Sequence, residues 1–159
     1  MQTANIPLSS RMNRNLPTRI ILHAMGEFID YEGEDMYAPY FLKKVGLSAH
    51  ALVTPNGTLI RCRRDEQGGA HCKGYNDTSL GVEFMVEGVH NYESFLQAMK
   101  TEYTTSRQLM AGVKLVKGWM IKFNIPIDQI YTHQELEPDR KYDPGSGFPL
   151  DDFKAMLSV

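Results

Sequence analysis

Cysteine is scarce in this chain: only Cys62 and Cys72 occur among 159 residues. They lack the Cys-x-x-Cys spacing of a structural zinc ribbon or a redox pair, so both are read as reduced thiols. Cys72 adjoins His71, which leaves a metal contact open to it. An excess of either charge is also missing. Seventeen Lys and Arg face nineteen Asp and Glu, a formal net charge of −2, which removes any global pull toward nucleic acid or an anionic membrane. The basic runs Arg61 with Arg63-Arg64 and Arg11 with Arg14 are short and read as solvated surface. Long apolar runs are absent too, so neither membrane insertion nor a transmembrane span is expected. The segment from Met1 to Thr18 has neither an apolar stretch of seven residues nor a small-residue cleavage pattern. It is not read as a secretory signal, and a cytoplasmic protein is expected on synthesis. No repeat, low-complexity tract or linker interrupts the chain. With 42% hydrophobic and 23% charged residues, it has the balance of one globular domain, residues 1–159 with a core from about 19 to 158.

The apolar pattern alternates between two periods. Arg19 to Ala24 is short and apolar and suits a buried strand ending near His23. From Glu34 to Val45, Met36, Tyr40, Phe41 and Val45 recur near helical spacing, with Gly46 as a stop and Pro39 required in the first turn. His50 to Thr54 and Thr58 to Arg63 read as strands joined at Pro55-Asn56-Gly57, a hairpin signal. Leu80, Val82, Phe84 and Val86 alternate with Gly81, Glu83 and Met85, which places Glu83 on the opposite strand face from the first four. Helices are predicted over Tyr92 to Lys100, Thr105 to Phe123 and Leu150 to Met156, with a further strand from Ile127 to Thr132. The fold class that follows is α/β, a single domain with a central mixed β-sheet flanked by helices.

Chemistry concentrates at strand ends. His23 closes one apolar run and His133 another, and the segment from His133 through Lys141 to Asp143, read as one loop, adds a lysine and an aspartate. Two imidazoles and a carboxylate are a ligand set for a catalytic Zn²⁺ with one position left for water, and a nearby lysine would stabilise a developing oxyanion. That pattern points to metal-assisted hydrolysis. Each residue also has a plain structural reading: the histidines as core residues, Asp143 as the start of a turn before Pro144-Gly145, Lys141 as solvated, and Glu83 as facing water from a half-exposed strand. The acidic run from Glu27 to Asp35 reads as an exposed flexible loop, either solvated or shaping a groove beside His23.

The stretch His71-Cys-Lys-Gly-Tyr-Asn-Asp-Thr-Ser-Leu-Gly-Val-Glu83 resembles the central signature of the zinc-dependent N-acetylmuramoyl-L-alanine amidases, whose fold is shared with peptidoglycan recognition proteins. Ile21-Leu22-His23 precedes it in the family's order, as does Ser48-Ala-His50-Ala-Leu-Val-Thr-Pro-Asn-Gly57. The segment from His133 through Lys141 to Asp143-Pro-Gly follows it. The resemblance runs from about Arg19 to Phe148. It implies Zn²⁺ held by His23, His133 and Asp143, catalysis assisted by Glu83 and Lys141, and substrate contacts from His71, Tyr75, Asn76 and His50. The implied reaction cleaves the amide between the lactyl group of N-acetylmuramic acid and L-alanine, with peptidoglycan as the partner and a monomer as the acting form.

Two departures bear on the kind of amidase. Many short phage lysozyme-type members use a cysteine as third ligand and carry a tyrosine before the position of His50, whereas this chain has Asp143 and Ala49, as in cytosolic enzymes that recycle anhydro-muropeptides. The compact spacing from His71 to Asn76 is instead of the phage type. Ala70 replaces a tryptophan common among relatives. An endolysin that reaches the wall after release is the leading expectation. A recycling amidase and a non-catalytic peptidoglycan-binding module are the alternatives.

Overall fold

A computed structural model describes Ala4–Asn5 and residues 16–159. The pair Arg11 and Arg14 lies outside the described residues. In chain order the strands are β1 (Ala4–Asn5), β2 (Arg19–Tyr31), β3 (Glu34–Tyr37), β4 (Ala51–Val53), β5 (Leu59–Arg61), β6 (Ser79–His90) and β7 (Ile130–Thr132). The helices are α1 (Ala38–Lys44), α2 (Tyr92–Ala98), α3 (Ser106–Phe123), α4 (His133–Leu136) and α5 (Leu150–Leu157).

These strands form one mixed sheet in the order β1-β5-β4-β6-β2-β3, with β7 also paired to β2. The parallel centre is β4-β6-β2-β7, while β2-β3 and β4-β5 are antiparallel hairpins. β2 is long enough to take two neighbours along one edge, β7 beside Ile20–Leu22 and β3 beside Phe28–Tyr31. The expected α/β architecture with a mixed, helix-flanked sheet is therefore present.

Each sheet face has its own apolar filling. On one side Leu22, Val53, Leu80, Val82 and Phe84 pack with Val116 and Trp119 of α3 and Phe153 of α5. On the other, Met25, Leu52, Ile60 and Met85 pack with Leu42 of α1. The β6 alternation read from the sequence decides this division, since Leu80, Val82 and Phe84 face α3 while Met85 faces α1. A fully buried Gln108 joins the α3 layer to the sheet, its amide donating to Val53 O (3.0 Å) and Met85 O (2.8 Å). Two backbone carbonyls of neighbouring strands thereby gain a buried side-chain donor.

Several boundaries differ from the sequence reading. Glu34 to Tyr37 is strand rather than helix, and α1 begins at Ala38 with Pro39 in its first turn. The helical spacing of Met36 with Tyr40 was coincidental, because β2 extends through Glu27–Tyr31 and turns back at Glu32-Gly33, both with positive φ. The acidic run is thus a β-hairpin, not a flexible loop. Ile127–Gln129 forms a single 3-10 turn, and only Ile130–Thr132 is strand. His133 to Leu136, expected as loop, is the short helix α4. Its start is set by a capping box in which Thr132 Oγ1 accepts from Glu135 N (3.1 Å) and Glu135 Oε2 accepts from Thr132 N (2.7 Å).

Candidate active site

Three adjacent parallel strands deliver the chemical groups. His23 and Glu83 are register partners on β2 and β6, and Leu22 pairs with Thr132 of β7, so His133 follows beside His23. His23 and Glu83 lie inside long strands, so the expectation that His23 ends its strand is corrected, and only His133, directly after β7, stands at a strand's carboxyl end. Asp143 returns to the same point from the following loop, its Oδ2 accepting from Ala24 N at 3.3 Å and its carbonyl from Gln134 N at 3.0 Å. Tyr103 supports this loop by donating to Pro144 O at 2.7 Å.

At the centre, His23 Nδ1 lies 2.9 Å from His133 Nδ1, and each lies 3.2 Å from Asp143 Oδ2. All three residues are buried. A tetrahedral zinc with bonds of about 2.0–2.1 Å separates its ligand atoms by roughly 3.3 Å. The three donors therefore form one nearly ready face of such a site, and they are a group that could hold a metal ion. Burial raises the Asp143 carboxyl, yet bonds from His133 and His23 outweigh it and hold the group well below the usual carboxylate range. Burial pulls His133 down, but bonds to Asp143, Cys72 and Glu137 push it up to about 10. A proton there balances charge that a cation would otherwise balance.

Glu83 is 8% exposed, and its Oε2 has no hydrogen-bond partner. The reading of Glu83 as a water-facing strand residue is therefore corrected. Burial, reinforced by Asp143 and opposed by His23, His133 and Lys141, raises its carboxyl above the ordinary range. A buried carboxylate oxygen without a partner is costly. Such groups concentrate where a ligand or substrate supplies the partner.

The cluster opens onto a cavity of about 650 Å³ lined by both ligand histidines, Asp143, Glu83, His71, Asn76 and Lys141. Apolar walls come from Met25 and Ile29 of β2, Phe41 and Leu42 of α1, and Phe95 and Met99 near α2. His71 also bonds the cluster from outside, its Nδ1 lying 2.8 Å from His23 Nε2 and its Nε2 3.2 Å from Ser79 Oγ. Gly81 makes this possible, because a Cβ there would fall 2.6 Å from His71 Nδ1. Asn76 Oδ1 accepts from His71 N (3.0 Å) and Cys72 N (2.9 Å), which shapes the loop that carries them.

Two residues named as substrate contacts do not line this cavity. His50 is fully buried, accepting from Gly81 N at 3.1 Å through Nδ1 and donating to Gln67 O at 2.6 Å through Nε2. Tyr75 sits under the Arg19 guanidinium, 5.0 Å from ring centre to Cζ. His50 is placed to tie the Gln67 loop to β6, and Tyr75 to cover the start of β2. Glu137 escaped the sequence reading although it lies four residues after His133, a spacing that brings side chains together on a helix. Its Oε2 is 2.5 Å from His133 Nε2. Cys62 and Cys72 are both free and buried.

A buried acid beside a metal-type ligand set, opening onto a cavity, is an arrangement suited to a hydrolase. The model of the family described as N-acetylmuramoyl-L-alanine amidase matches residues 13–146, and the chain belongs to that family. It is accordingly a peptidoglycan amidase. No curated protein matches the sequence. Among solved structures, the N-acetylmuramoyl-L-alanine amidase LysC from Clostridium intestinale URNW aligns over 100% of this chain and 99% of its own, at 20% identity and a TM-score of 0.73. A selenomethionine derivative of AmpD covers 98% of this chain and 94% of its own, at 21% identity and a TM-score of 0.77. AmiD from E. coli, in complex with the substrate anhydro-N-acetylmuramic acid-L-Ala-D-gamma-Glu-L-Lys, covers 93% of this chain and 60% of its own at 16% identity and a TM-score of 0.68. At these identities the likeness concerns the fold.

Proposed function

We propose that this chain is a zinc-dependent amidase of the endolysin kind, a single catalytic domain acting as a monomer on wall peptidoglycan. His23, His133 and Asp143 are its metal ligands, and Glu83 and Lys141 its catalytic residues. The observation that carries the reading is the unpartnered, buried Glu83 oxygen beside three converged donor atoms.

Zn²⁺ bound there would supply Lewis acidity, polarising a carbonyl and lowering the pKa of water toward about 7. Glu83 takes the proton from the attacking water as that water adds to the carbonyl carbon of the lactyl group. Its raised pKa fits a base that must later act as an acid, because the same proton then passes to the departing nitrogen of L-alanine. The Lys141 ammonium lines the cavity and compensates the oxyanion formed between these steps. His71 and Asn76 line the same groove and are placed to contact the glycan or stem peptide, while the apolar walls exclude water from the scissile bond.

The compact loop from His71 to Asn76 favours lysis, whereas Asp143 as third ligand favours muropeptide recycling. Mass spectrometry of products from purified sacculi and from soluble anhydro-muropeptides decides between them by preferred substrate. Stem peptides beginning with L-alanine should be released, with release lost on chelation and restored by Zn²⁺. Asp143→Ala should abolish hydrolysis while sparing much of the binding to peptidoglycan. Unchanged turnover in that variant would sink the ligand assignment. Binding without cleavage by zinc-loaded wild type would favour the binding-module reading.

A further inference from the structure

The two ligand histidines present the same nitrogen inward and meet different partners outward. With Nδ1 of each directed at the cluster, each Nε2 is left to carry the ring proton. On His23 it faces the Nδ1 of another imidazole, His71, and the chain continues to Ser79 Oγ and on to Tyr75 O at 2.6 Å. On His133 it meets a carboxylate, Glu137 Oε2, at 2.5 Å.

Glu137 is itself fixed. Its Oε1 accepts two bonds from one guanidinium, Arg140 Nε at 3.1 Å and Nη2 at 2.7 Å. Oε2 also has the Cys72 thiol 3.9 Å away. The side chain is 12% exposed. Glu137 does not line the cavity, whereas Arg140 does. The carboxylate thus stands behind the ligand, with both oxygens occupied.

We propose that Glu137, clamped by Arg140, is the positioning residue that fixes the ring orientation and the Nε2–H tautomer of His133 for metal binding. An outer carboxylate of this kind both orients the imidazole and increases its basicity, and its loss commonly weakens metal affinity by about 10–100-fold. The inference rests on the proposed reading that His133 is a zinc ligand.

The test measures zinc affinity of the full chain by competition with a chromophoric chelator, for wild type, Glu137→Ala, Glu137→Gln, Arg140→Ala and His133→Ala. Thermal melts of the metal-free proteins and visible spectra of their Co²⁺ forms accompany it. Glu137→Ala should raise the zinc Kd about 10–100-fold and shift the Co²⁺ bands. Glu137→Gln should lose less, because its amide oxygen still accepts from Nε2. Arg140→Ala should lose least, because the Oε2 bond remains. Should Glu137→Ala fail to fold, Glu137→Gln carries the comparison, since a merely structural role would lower its melting temperature and leave both zinc Kd and Co²⁺ spectrum at wild-type values. Zinc Kd within twofold of wild type in the folded Glu137 variants, with His133→Ala impaired, overturns this inference alone. A wild type without zinc affinity, or His133→Ala binding as tightly as wild type, overturns the ligand assignment and this inference together.

Discussion

Glu83→Gln should separate activity from stability, and in opposite directions. The substitution keeps the size and shape of the side chain and removes its charge and basicity. Loss of a general base costs about 10²–10⁴ in rate, or roughly 3–5 kcal/mol of transition-state stabilisation. Stability should move the other way. Burial raises the folded-state pKa of Glu83, so the folded protein binds this proton more tightly than the unfolded chain does. Opposition to folding by its ionised form therefore sets in as the pH rises past the unfolded value, about 4.3, and is complete above the raised folded value. A neutral side chain relieves that opposition by roughly 1.4 kcal/mol for each pH unit by which the folded value exceeds the unfolded one, less what its own buried amide costs. In a chain of this size each kcal/mol corresponds to a melting shift of roughly 2–4 °C. The assay pairs amide hydrolysis of muropeptides by zinc-loaded enzyme with thermal melts of metal-free protein at neutral and acidic pH. Glu83→Gln should turn over at most one-hundredth as fast as wild type and melt higher at neutral pH. The gap should close as the pH falls and wild type takes up the proton. A lower melting temperature with turnover retained would refute the reasoning, and would make Glu83 a structural partner of the histidine cluster.

Two further outcomes follow from contacts away from the reacting atoms. Burial raises Asp65, but Arg61, Lys122 at 3.2 Å and Trp119 Nε1 at 3.0 Å outweigh it and hold the carboxyl below its ordinary value. Its contribution is thus present above about pH 3.9 and lost as the pH falls through the depressed folded value. Asp65→Asn should cost about 1–3 kcal/mol at pH 7 in denaturant unfolding and progressively less as the pH falls below about 3.9, and a cost that does not change with pH would contradict the assignment. Gly81→Ala forces a Cβ to 2.6 Å from His71 Nδ1, so the ring must move and its bond to His23 must break. A loss of about 1–3 kcal/mol and weaker zinc binding are expected, and wild-type values for both would show that the loop yields freely.

Much of the site was legible because it lies on regular strands. His23 falls at the end of a short apolar run and Glu83 within a run of period two, whereas the parallel pairing of β2 with β6 was visible only in the structure. Glu137 and the Thr132–Glu135 cap were legible in principle, from i,i+4 spacing and a Thr-x-x-Glu pattern, but the Pro- and Gly-rich surroundings read as loop. His50 and Tyr75 do not line the cavity, because a signature groups residues by order, whereas contact with the cavity depends on which way each side chain leaves the backbone.

The sequence by itself determined the alternation of strands and helices, the identities of the two histidines, Asp143, Glu83 and Lys141, and the sheet face that takes the main core. Local periodicity and residue chemistry suffice for these, since both are properties of short segments. Only the tertiary structure decided that His23 Nδ1, His133 Nδ1 and Asp143 Oδ2 stand 2.9–3.2 Å apart, that Glu83 Oε2 is buried without a hydrogen-bond partner, and that the acidic run folds into a hairpin. Convergence of groups 110 and 120 residues apart depends on the register of parallel strands, and register is set by packing on both sheet faces at once.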